Sequence, residues 1–203
     1  MKTISFLTLG CRANQAESNE YLQSMLEAGW EVIDFDNNLA EVYVINTCTV
    51  TNEAERQSRK LIRKISRNNP NSKIIVTGCS SKYLESNKDI KDKVSLFIPN
   101  LEKDKLIERL YKYLGIEKDL NTISLIPPVE KSETTRLNIK IADGCNWACS
   151  FCIIPRVRGK LRSLNEETII EKVKLAEKLG YKEIVLTAIQ LGGYGKDFGK
   201  KWS

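Results

Sequence analysis

The stretch EVYVINTCTVTNEAERQSRKLIRKISRNNPNSKIIVTGCS, residues 41–80, contains two short apolar runs separated by a longer amphipathic segment. The runs Glu41–Asn46 and Lys73–Thr77 are rich in β-branched residues, which is typical of strands buried on both faces of a sheet. The segment 51–68 between them begins with residues that cap helices well and stops before a proline, so it predicts a helix. Strand, helix and strand in this order predict a βαβ unit and a parallel sheet.

The same alternation continues on both sides of this unit. Further strands are predicted at 3–9, 31–35 and 94–98, and further helices at 15–28 and from Asn100 to about Leu114. Residues 115–134 lose the periodicity and contain two adjacent prolines, so we interpret them as a connection between domains. The prediction is an α/β protein whose N-terminal domain, 1–114, is a doubly wound and mainly parallel sheet.

A second pattern occupies residues 135–203. It contains a predicted strand at 137–142, a helix at 165–179, a strand at 183–187 and a Gly-rich turn at 192–195. One βα unit and one further strand would leave their apolar faces exposed and cannot close a core. We therefore expect these residues to be the start of a larger domain, and the chain to be truncated relative to a longer protein.

Composition limits the chemistry. No apolar run of the 203 residues approaches the roughly 20 needed to cross a bilayer, and the N-terminus is typical of a first strand, so we expect a soluble, cytoplasmic protein without disulfides. Six cysteines stand beside zero histidines. This composition excludes Cys2His2 and Cys3His zinc sites, His-based catalytic dyads and His-ligated haem.

Positive charge is concentrated in the last third of the chain. Residues 1–135 hold 19 Lys and Arg against 19 Asp and Glu, whereas residues 136–203 hold 13 against 7. Four cations follow one another closely and are candidate contacts to nucleic-acid phosphates: Arg156, Arg158, Lys160 and Arg162. The alternatives are an ordinary solvated basic loop, or arginines that pair with a carboxylate of a cofactor or of the fold.

Cys145, Cys149 and Cys152 form a CxxxCxxC motif in DGCNWACSFCIIP, directly after a predicted strand. A zinc site needs a fourth protein ligand, so three thiolates on one loop favour a 4Fe-4S cluster with one iron open to a substrate or cofactor. The spacing is the hallmark of radical S-adenosylmethionine enzymes, and Phe151 before the last cysteine fits the same pattern. The alternative is three buried thiols that have this spacing by chance.

The other cysteines occupy equivalent places in the βα pattern. Cys11 follows TISFLTLG, Cys48 follows VYVINT and Cys79 follows KIIVTG. Because the carboxyl ends of parallel strands lie along one edge of a sheet, we expect the three thiols to meet there. This equivalence favours a second metal cluster with three protein ligands over three independent structural cysteines.

Four stretches together resemble the tRNA methylthiotransferase family, radical S-adenosylmethionine enzymes with two 4Fe-4S clusters. They are TLGCRANQAES, INTCTVTNEAERQSR, VTGCSS and DGCNWACSFCIIPRVRGKLRS, and the resemblance covers nearly the whole chain. VLTAIQLGGYGKD is most similar to the branch that acts on threonylcarbamoyladenosine beside the anticodon. The sequence departs from that branch at Ala188, where Gly is usual, and at Gln190, where Asn is usual.

The resemblance implies a role for each cysteine set. Cys145, Cys149 and Cys152 would hold the cluster that binds and cleaves S-adenosylmethionine, giving a radical that abstracts hydrogen from the adenine ring. Cys11, Cys48 and Cys79 would hold an auxiliary cluster that carries the sulfur to be inserted. Phe151, Gln190 and Gly192 would contact the cofactor, and residues 135–203 would open a partial TIM-like radical S-adenosylmethionine barrel.

The resulting hypothesis is a methylthiotransferase that modifies threonylcarbamoyladenosine in tRNA. The implied partners are tRNA and an electron donor such as flavodoxin or ferredoxin, with no membrane. Because the barrel that should enclose the radical is incomplete, we expect this chain alone to be inactive. The alternatives are an enzyme acting on isopentenyladenosine or on a ribosomal protein aspartate, and a non-catalytic iron-sulfur or electron-transfer module.

Overall fold

The computed structural model describes residues 2–35, 40–117, 126 and 136–199, which form two sheets with helices packed against them. In chain order the elements are β1 (Thr3–Thr8), α1 (Arg12–Glu27), β2 (Glu31–Val32), β3 (Val42–Thr47), α2 (Asn52–Asn68), β4 (Lys73–Gly78), α3 (Ser81–Glu85), α4 (Lys88–Lys91), β5 (Leu96–Phe97), a 3-10 helix (Asn100–Lys105), α5 (Leu106–Leu114), β6 (Arg136–Asp143), α6 (Ile154–Arg158), β7 (Arg162–Ser163), α7 (Glu166–Lys178), β8 (Glu183–Ala188) and two 3-10 turns (Leu191–Gly193 and Lys196–Phe198).

The first sheet has the strand order β2-β1-β3-β4-β5, and every neighbouring pair is parallel. This is a doubly wound order of the flavodoxin type, whose ligands bind at the carboxyl ends of the strands. All six residues of β3 are buried, because helices cover both faces of the sheet. One face packs around Met25 and Leu110, and the other around Ile62 and Leu84. The predicted α/β fold is confirmed.

The second sheet has the order β7-β6-β8. β6 and β8 are parallel and are connected through α7, as the predicted βα unit requires, while β7 runs antiparallel to β6. Its core contains Leu137, Ile139 and Ala176. The sequence did not indicate β7 or α6, because elements of two and five residues are too short to show a periodicity.

Some boundaries differ from the prediction. The helix predicted at 15–28 begins at Arg12, directly after Cys11, and the weak strand predicted at 31–35 is only two residues long. Most of the predicted linker 115–134 lies outside the described residues, so the domain limits remain a prediction. Within the part of the chain that is described, no helix has the length and apolar character needed to span a membrane.

Helix α1 joins the two sheets. It packs on β1 of the first sheet and also lies against β6 of the second. Among the polar contacts that cross the boundary, Lys172 Nζ donates to Glu20 Oε1 at 2.7 Å, and Asn138 Nδ2 donates to Gln15 Oε1 at 3.3 Å. Residues at the start of α1 therefore face the carboxyl ends of strands from both sheets.

Candidate iron-sulfur sites and the buried ionic network between them

Three cysteines lie at the carboxyl edge of the first sheet. Cys11, Cys48 and Cys79 follow β1, β3 and β4, which are neighbours in that sheet. The strand ends are bound to each other: the amide of Leu9 donates to Asn46 O at 2.8 Å, and that of Cys79 donates to Thr47 O at 2.9 Å. Cys48 and Cys79 are buried, whereas Cys11 is exposed at the start of α1. The backbone thus brings the three cysteine loops to one edge, as predicted.

Gly10 allows two of these loops to approach. Its φ is +102°, and a Cβ atom at this position would lie 2.7 Å from the Cys48 sulfur. Any side chain here would therefore displace Cys48 in addition to straining the backbone. Sequence reasoning missed Gly10. The available signal was that a glycine stands directly before a cysteine at the end of a strand, a pairing that Gly144 repeats before Cys145.

The second cysteine set lies on the loop between β6 and α6. Cys149 is exposed, and Cys145 and Cys152 are half-buried. The loop folds back on itself through the amide of Cys145, which donates to Gly159 O at 3.1 Å. Gly144 has a φ of +73°, and a Cβ there would collide with the carbonyl group of Lys160. The side chain of Phe151 is 91% exposed, so the loop presents thiols and an aromatic ring to solvent.

The thiols themselves are not gathered. Among the described residues, no three Cys, Asp or Glu side chains are close enough together to hold a metal ion. The expectation that the thiols meet is therefore correct for the loops and wrong for the side-chain positions. The donors nevertheless fit iron-sulfur ligation, because each site offers three thiols and Gly10 lets the loops of Cys11 and Cys48 approach each other closely. Both clusters remain predictions.

Asn14 links the loops of the first set. This buried side chain donates through Nδ2 to Leu9 O at 2.9 Å and to Thr47 O at 3.0 Å, the carbonyl groups of the strand ends that precede Cys11 and Cys48. Its Oδ1 accepts from the Cys11 thiol at 3.8 Å and also from the guanidinium of Arg158. A single amide thus ties two strand ends of the first sheet to a residue of the second.

Arg158 corrects one prediction. It was expected to contact nucleic-acid phosphates, but its side chain is completely buried and cannot reach an RNA backbone. Its Nη1 contacts Glu17 Oε1 at 3.0 Å and Asp143 Oδ1 at 2.8 Å, and its Nε donates to the Cys79 sulfur at 3.2 Å. Asp143 is the last residue of β6, so the alternative of an arginine that pairs with a carboxylate of the fold is confirmed.

The other three cations of that segment remain on the surface. Arg156, Lys160 and Arg162 are all exposed. Arg162 is partly engaged, since its Nη1 donates to Arg158 O at 3.2 Å and its Nη2 lies 3.6 Å from Asp143 Oδ2. Arg156 and Lys160 are therefore the residues of this group that stay candidates for phosphate contacts.

Glu17 is the centre of the buried ionic network. Lys103 Nζ and Lys140 Nζ each contact its Oε1 at 2.7 Å, and Arg158 makes the third ion pair. Burial by itself would raise the pKa of the Glu17 carboxyl, but Lys140, Arg158 and Lys103 together hold that pKa far below its usual range. Lys103 also pairs with Asp143, so the network spans both sheets.

Gln190 and Gly192 follow β8, the neighbour of β6. The carboxyl ends of these two parallel strands lie side by side, which places the Gly-rich turn near the loop of the second cysteine set. Gln190 is half-buried and Gly192 is exposed. Their contact with a cofactor remains a prediction.

Comparison with known proteins gives two family matches. Residues 3–98 match the uncharacterized protein family UPF0004, and residues 139–200 match the radical SAM superfamily. The chain is 39% identical to the threonylcarbamoyladenosine tRNA methylthiotransferase MtaB of Bacillus subtilis, over 97% of this chain and 46% of that protein. The Aquifex aeolicus protein of the same name is 37% identical, over 97% of this chain and 50% of that protein.

A relative with a different named substrate is nearly as similar. The ribosomal protein uS12 methylthiotransferase RimO of Thermodesulfovibrio yellowstonii is 35% identical, over 97% of this chain and 46% of that protein. The chain spans about half the length of the curated relatives that it matches.

Proposed function

Because this chain belongs to the radical SAM methylthiotransferase family, we propose that it is the part of a tRNA methylthiotransferase that carries both iron-sulfur sites. The proposed reaction inserts a methylthio group into threonylcarbamoyladenosine beside the anticodon. The observation that carries the proposal is the placement of two cysteine triads at the carboxyl ends of two sheets that share helix α1. A site for radical generation and a site for sulfur supply would then lie on neighbouring edges.

The radical SAM superfamily implies a 4Fe-4S cluster and S-adenosylmethionine, which together supply the radical needed to break an unactivated aromatic C–H bond. Cys145, Cys149 and Cys152 would be the ligands of that cluster. Phe151 offers an exposed aromatic face beside Cys152, on which the adenine of the cofactor can stack. Gln190 and Gly192 lie at the neighbouring strand end and would contact the methionine end of the cofactor.

Cys11, Cys48 and Cys79 would bind the auxiliary cluster. Their loops occupy the edge where doubly wound sheets bind ligands. The Ser80 hydroxyl, next to Cys79, is buried and has no hydrogen-bond partner among the described residues. A buried unpaired hydroxyl is costly in a finished core, and it supports the inference that this edge is completed by a ligand.

The choice of substrate rests on similarity. Relatives named for threonylcarbamoyladenosine are 34% to 39% identical, and two relatives named for the ribosomal protein are 35% and 31% identical. The second candidate is therefore methylthiolation of a ribosomal protein aspartate. Isopentenyladenosine as the substrate and a non-catalytic electron-transfer role are further alternatives. We also propose a cytoplasmic location and a flavodoxin or ferredoxin as the electron donor.

The substrate is tested by expressing the full gene in a bacterial strain that lacks its own threonylcarbamoyladenosine methylthiotransferase. Nucleosides from digested tRNA, and the ribosomal proteins, are then analysed by mass spectrometry. We expect the methylthio form of threonylcarbamoyladenosine to appear. Methylthiolated isopentenyladenosine or a methylthiolated ribosomal aspartate in its place would reject the proposed substrate, and no new methylthio product at all would reject the enzyme.

Two controls accompany this experiment. The full gene with Cys145, Cys149 and Cys152 replaced by Ala should give no product, because the radical cannot form. The 203-residue chain expressed alone should also give none, because two parallel strands cannot enclose a radical. A methylthiolated nucleoside made by the short chain would show that the rest of the barrel is dispensable.

Arg156 and Lys160 are expected to contact tRNA phosphates. Each contact releases condensed counterions, so replacing both residues with Gln should weaken tRNA binding and reduce the slope of log affinity against log salt by about one unit per lost contact. The measurement is tRNA affinity of the full-gene protein at several salt concentrations. Iron content should not change.

Lys178 and Lys182 provide a matched control. Both are exposed, and they lie where α7 ends and β8 begins, at the opposite end of the second sheet from the cysteine loop. Replacing them with Gln removes the same charge without a change in the salt slope. An unaltered slope in the Arg156 and Lys160 variant, or an equal reduction in both variants, would remove these two residues from the RNA surface.

A further inference from the structure

The burial of Arg158 requires an explanation. A guanidinium taken completely out of water loses several kcal/mol of hydration, and ion pairs in a protein interior offset that loss only in part. A hydrophobic residue could fill the same space at lower cost. The arginine is therefore expected to provide something that packing cannot, namely directed hydrogen bonds.

Those hydrogen bonds converge on the first cysteine set. Arg158 stands at the end of α6, six residues after Cys152 in the second set. Its Nη1 is held by the carboxylates of Glu17 and Asp143, and with the guanidinium fixed in this way its Nε points at the Cys79 sulfur, 3.2 Å away. The planar fork of an arginine suits this task, because its donors have fixed directions.

Arg158 also reaches the other two cysteines of the set through Asn14. Its Nη2 donates to Asn14 Oδ1, and the same amide group donates to Leu9 O and Thr47 O. Leu9 and Thr47 belong to the strand ends that lead into Cys11 and Cys48. One guanidinium therefore contacts one thiol directly and supports the loops of the other two.

We propose that Arg158, contributed by the second domain, is a positioning residue for the three-cysteine site of the first domain: it donates a hydrogen bond to the sulfur of Cys79 and holds the other two ligand loops through Asn14. The inference deepens the proposed function and rests on it, because it assumes that this site binds a cluster. Hydrogen bonds to ligand sulfurs and nearby positive charge are two of the factors that set the reduction potential of iron-sulfur clusters. Arg158 stabilises the reduced, more negative state.

The test uses the chain with Cys145, Cys149 and Cys152 replaced by Ala, so that only the first site can hold iron. After anaerobic reconstitution, the cluster is titrated with dithionite at controlled potential and followed by electron paramagnetic resonance. Arg158→Gln removes a hydrogen bond to a charged group. The loss of such a bond should change the ratio of reduced to oxidised cluster by about tenfold at a fixed potential. For a one-electron couple this is a fall in midpoint potential of about 59 mV.

Two further variants give the comparison. Arg158→Lys keeps the charge, but one ammonium group cannot replace four directed contacts, so we expect a smaller fall in potential together with a changed line shape. Arg67→Gln removes an exposed arginine in the last turn of α2, at the opposite edge of the first sheet from the cysteines, and should leave both the potential and the spectrum unchanged. If Arg158 has a purely structural role, Arg158→Gln should lower the thermal stability of the chain and leave the potential of the remaining cluster unchanged.

The outcomes separate the two levels of the hypothesis. If the parent chain binds no iron, the auxiliary cluster and with it the proposed function fail. If the parent binds about four iron atoms and the Arg158 variants keep its potential and spectrum, only the role of Arg158 is overturned. Should Arg158→Gln fail to fold, as judged by circular dichroism, the Arg158→Lys variant decides the question by the same two measurements.

Discussion

Replacing Cys11, Cys48 and Cys79 together with Ala is expected to lower the iron content of the anaerobically reconstituted chain from about eight atoms to about four. The cysteines of the first sheet supply every thiol at that edge, so their loss leaves no ligand for a cluster there. Iron and sulfide analysis of the purified chain provides the measurement. Full iron content in this variant would mean that the auxiliary cluster does not exist.

The reciprocal variant is the control for this experiment. Replacing Cys145, Cys149 and Cys152 should also leave about four iron atoms, at the other site. In the full-gene protein the two sets should then differ in function. Loss of the second set should abolish cleavage of S-adenosylmethionine to deoxyadenosine, whereas loss of the first set should preserve cleavage and prevent sulfur insertion. Equal loss of cleavage in both variants would contradict the division of roles.

Glu17→Gln is expected to destabilise the chain by about 3 to 5 kcal/mol at neutral pH, the usual effect of removing one member of a buried ion pair. Glu17 compensates three cations, and the substitution leaves Lys103 and Arg158 buried with one carboxylate fewer. For a chain of this size, a loss of 3 kcal/mol corresponds to a fall in Tm of roughly 10 °C. Thermal unfolding followed by circular dichroism checks the prediction.

The effect should depend on pH in a defined direction. The folded-state pKa of Glu17 lies far below its ordinary value of 4.5, so its contribution to stability is fully present above about pH 4.5 and is lost as the pH falls below that value. The difference in Tm between the parent and Glu17→Gln should shrink as the pH is lowered below about 4.5, where the Glu17 carboxyl of the unfolded chain takes up a proton. Between pH 5 and 7 the difference also contains a contribution from Lys103, whose pKa burial lowers to about 7 and which loses the support of Glu17 in the variant. A difference that keeps widening below pH 4.5 would contradict the ionised state assigned to Glu17.

Glu53→Gln is the matched control. Glu53 also pairs with an arginine, Arg56, at 2.8 Å, but both side chains are more than half exposed. Exposed pairs of this kind contribute little to stability, because solvent screens them. The Tm of the Glu53→Gln variant should match that of the parent at every pH.

The first sheet could be predicted because its signals are local. The run VYVINT consists mainly of β-branched and aromatic residues, which suit a strand buried on both faces, and the helix that follows has a clear start at Thr51, whose side chain caps it. Parallel strands then place the three cysteines at one edge without any knowledge of tertiary contacts. The parallel sheet and the closeness of the cysteine loops follow from these few rules, whereas the order of the strands is known only from the structure.

Arg158 could not be predicted in the same way. In the sequence it is one cation among four, and nothing local separates it from Arg156, which is exposed. Its burial depends on Glu17 and Asn14, which lie 141 and 144 positions earlier in the chain. Only the packing of α1 against β6 brings these groups together, and no periodicity in the sequence reports that contact.

Because α1 packs against the second sheet, the first cysteine site can be completed only after the second domain has been synthesised. The ribosome releases the chain from its N-terminus, so Asn14 and Glu17 emerge on the order of ten seconds before Arg158, which lies 141 positions after Glu17. Until then the first sheet can form its strands, but Cys79 and Asn14 lack their hydrogen bonds from Arg158, and the Glu17 carboxylate stays hydrated. Iron loading of this edge is thus expected late in translation or after it, once the chain has grown beyond residue 158.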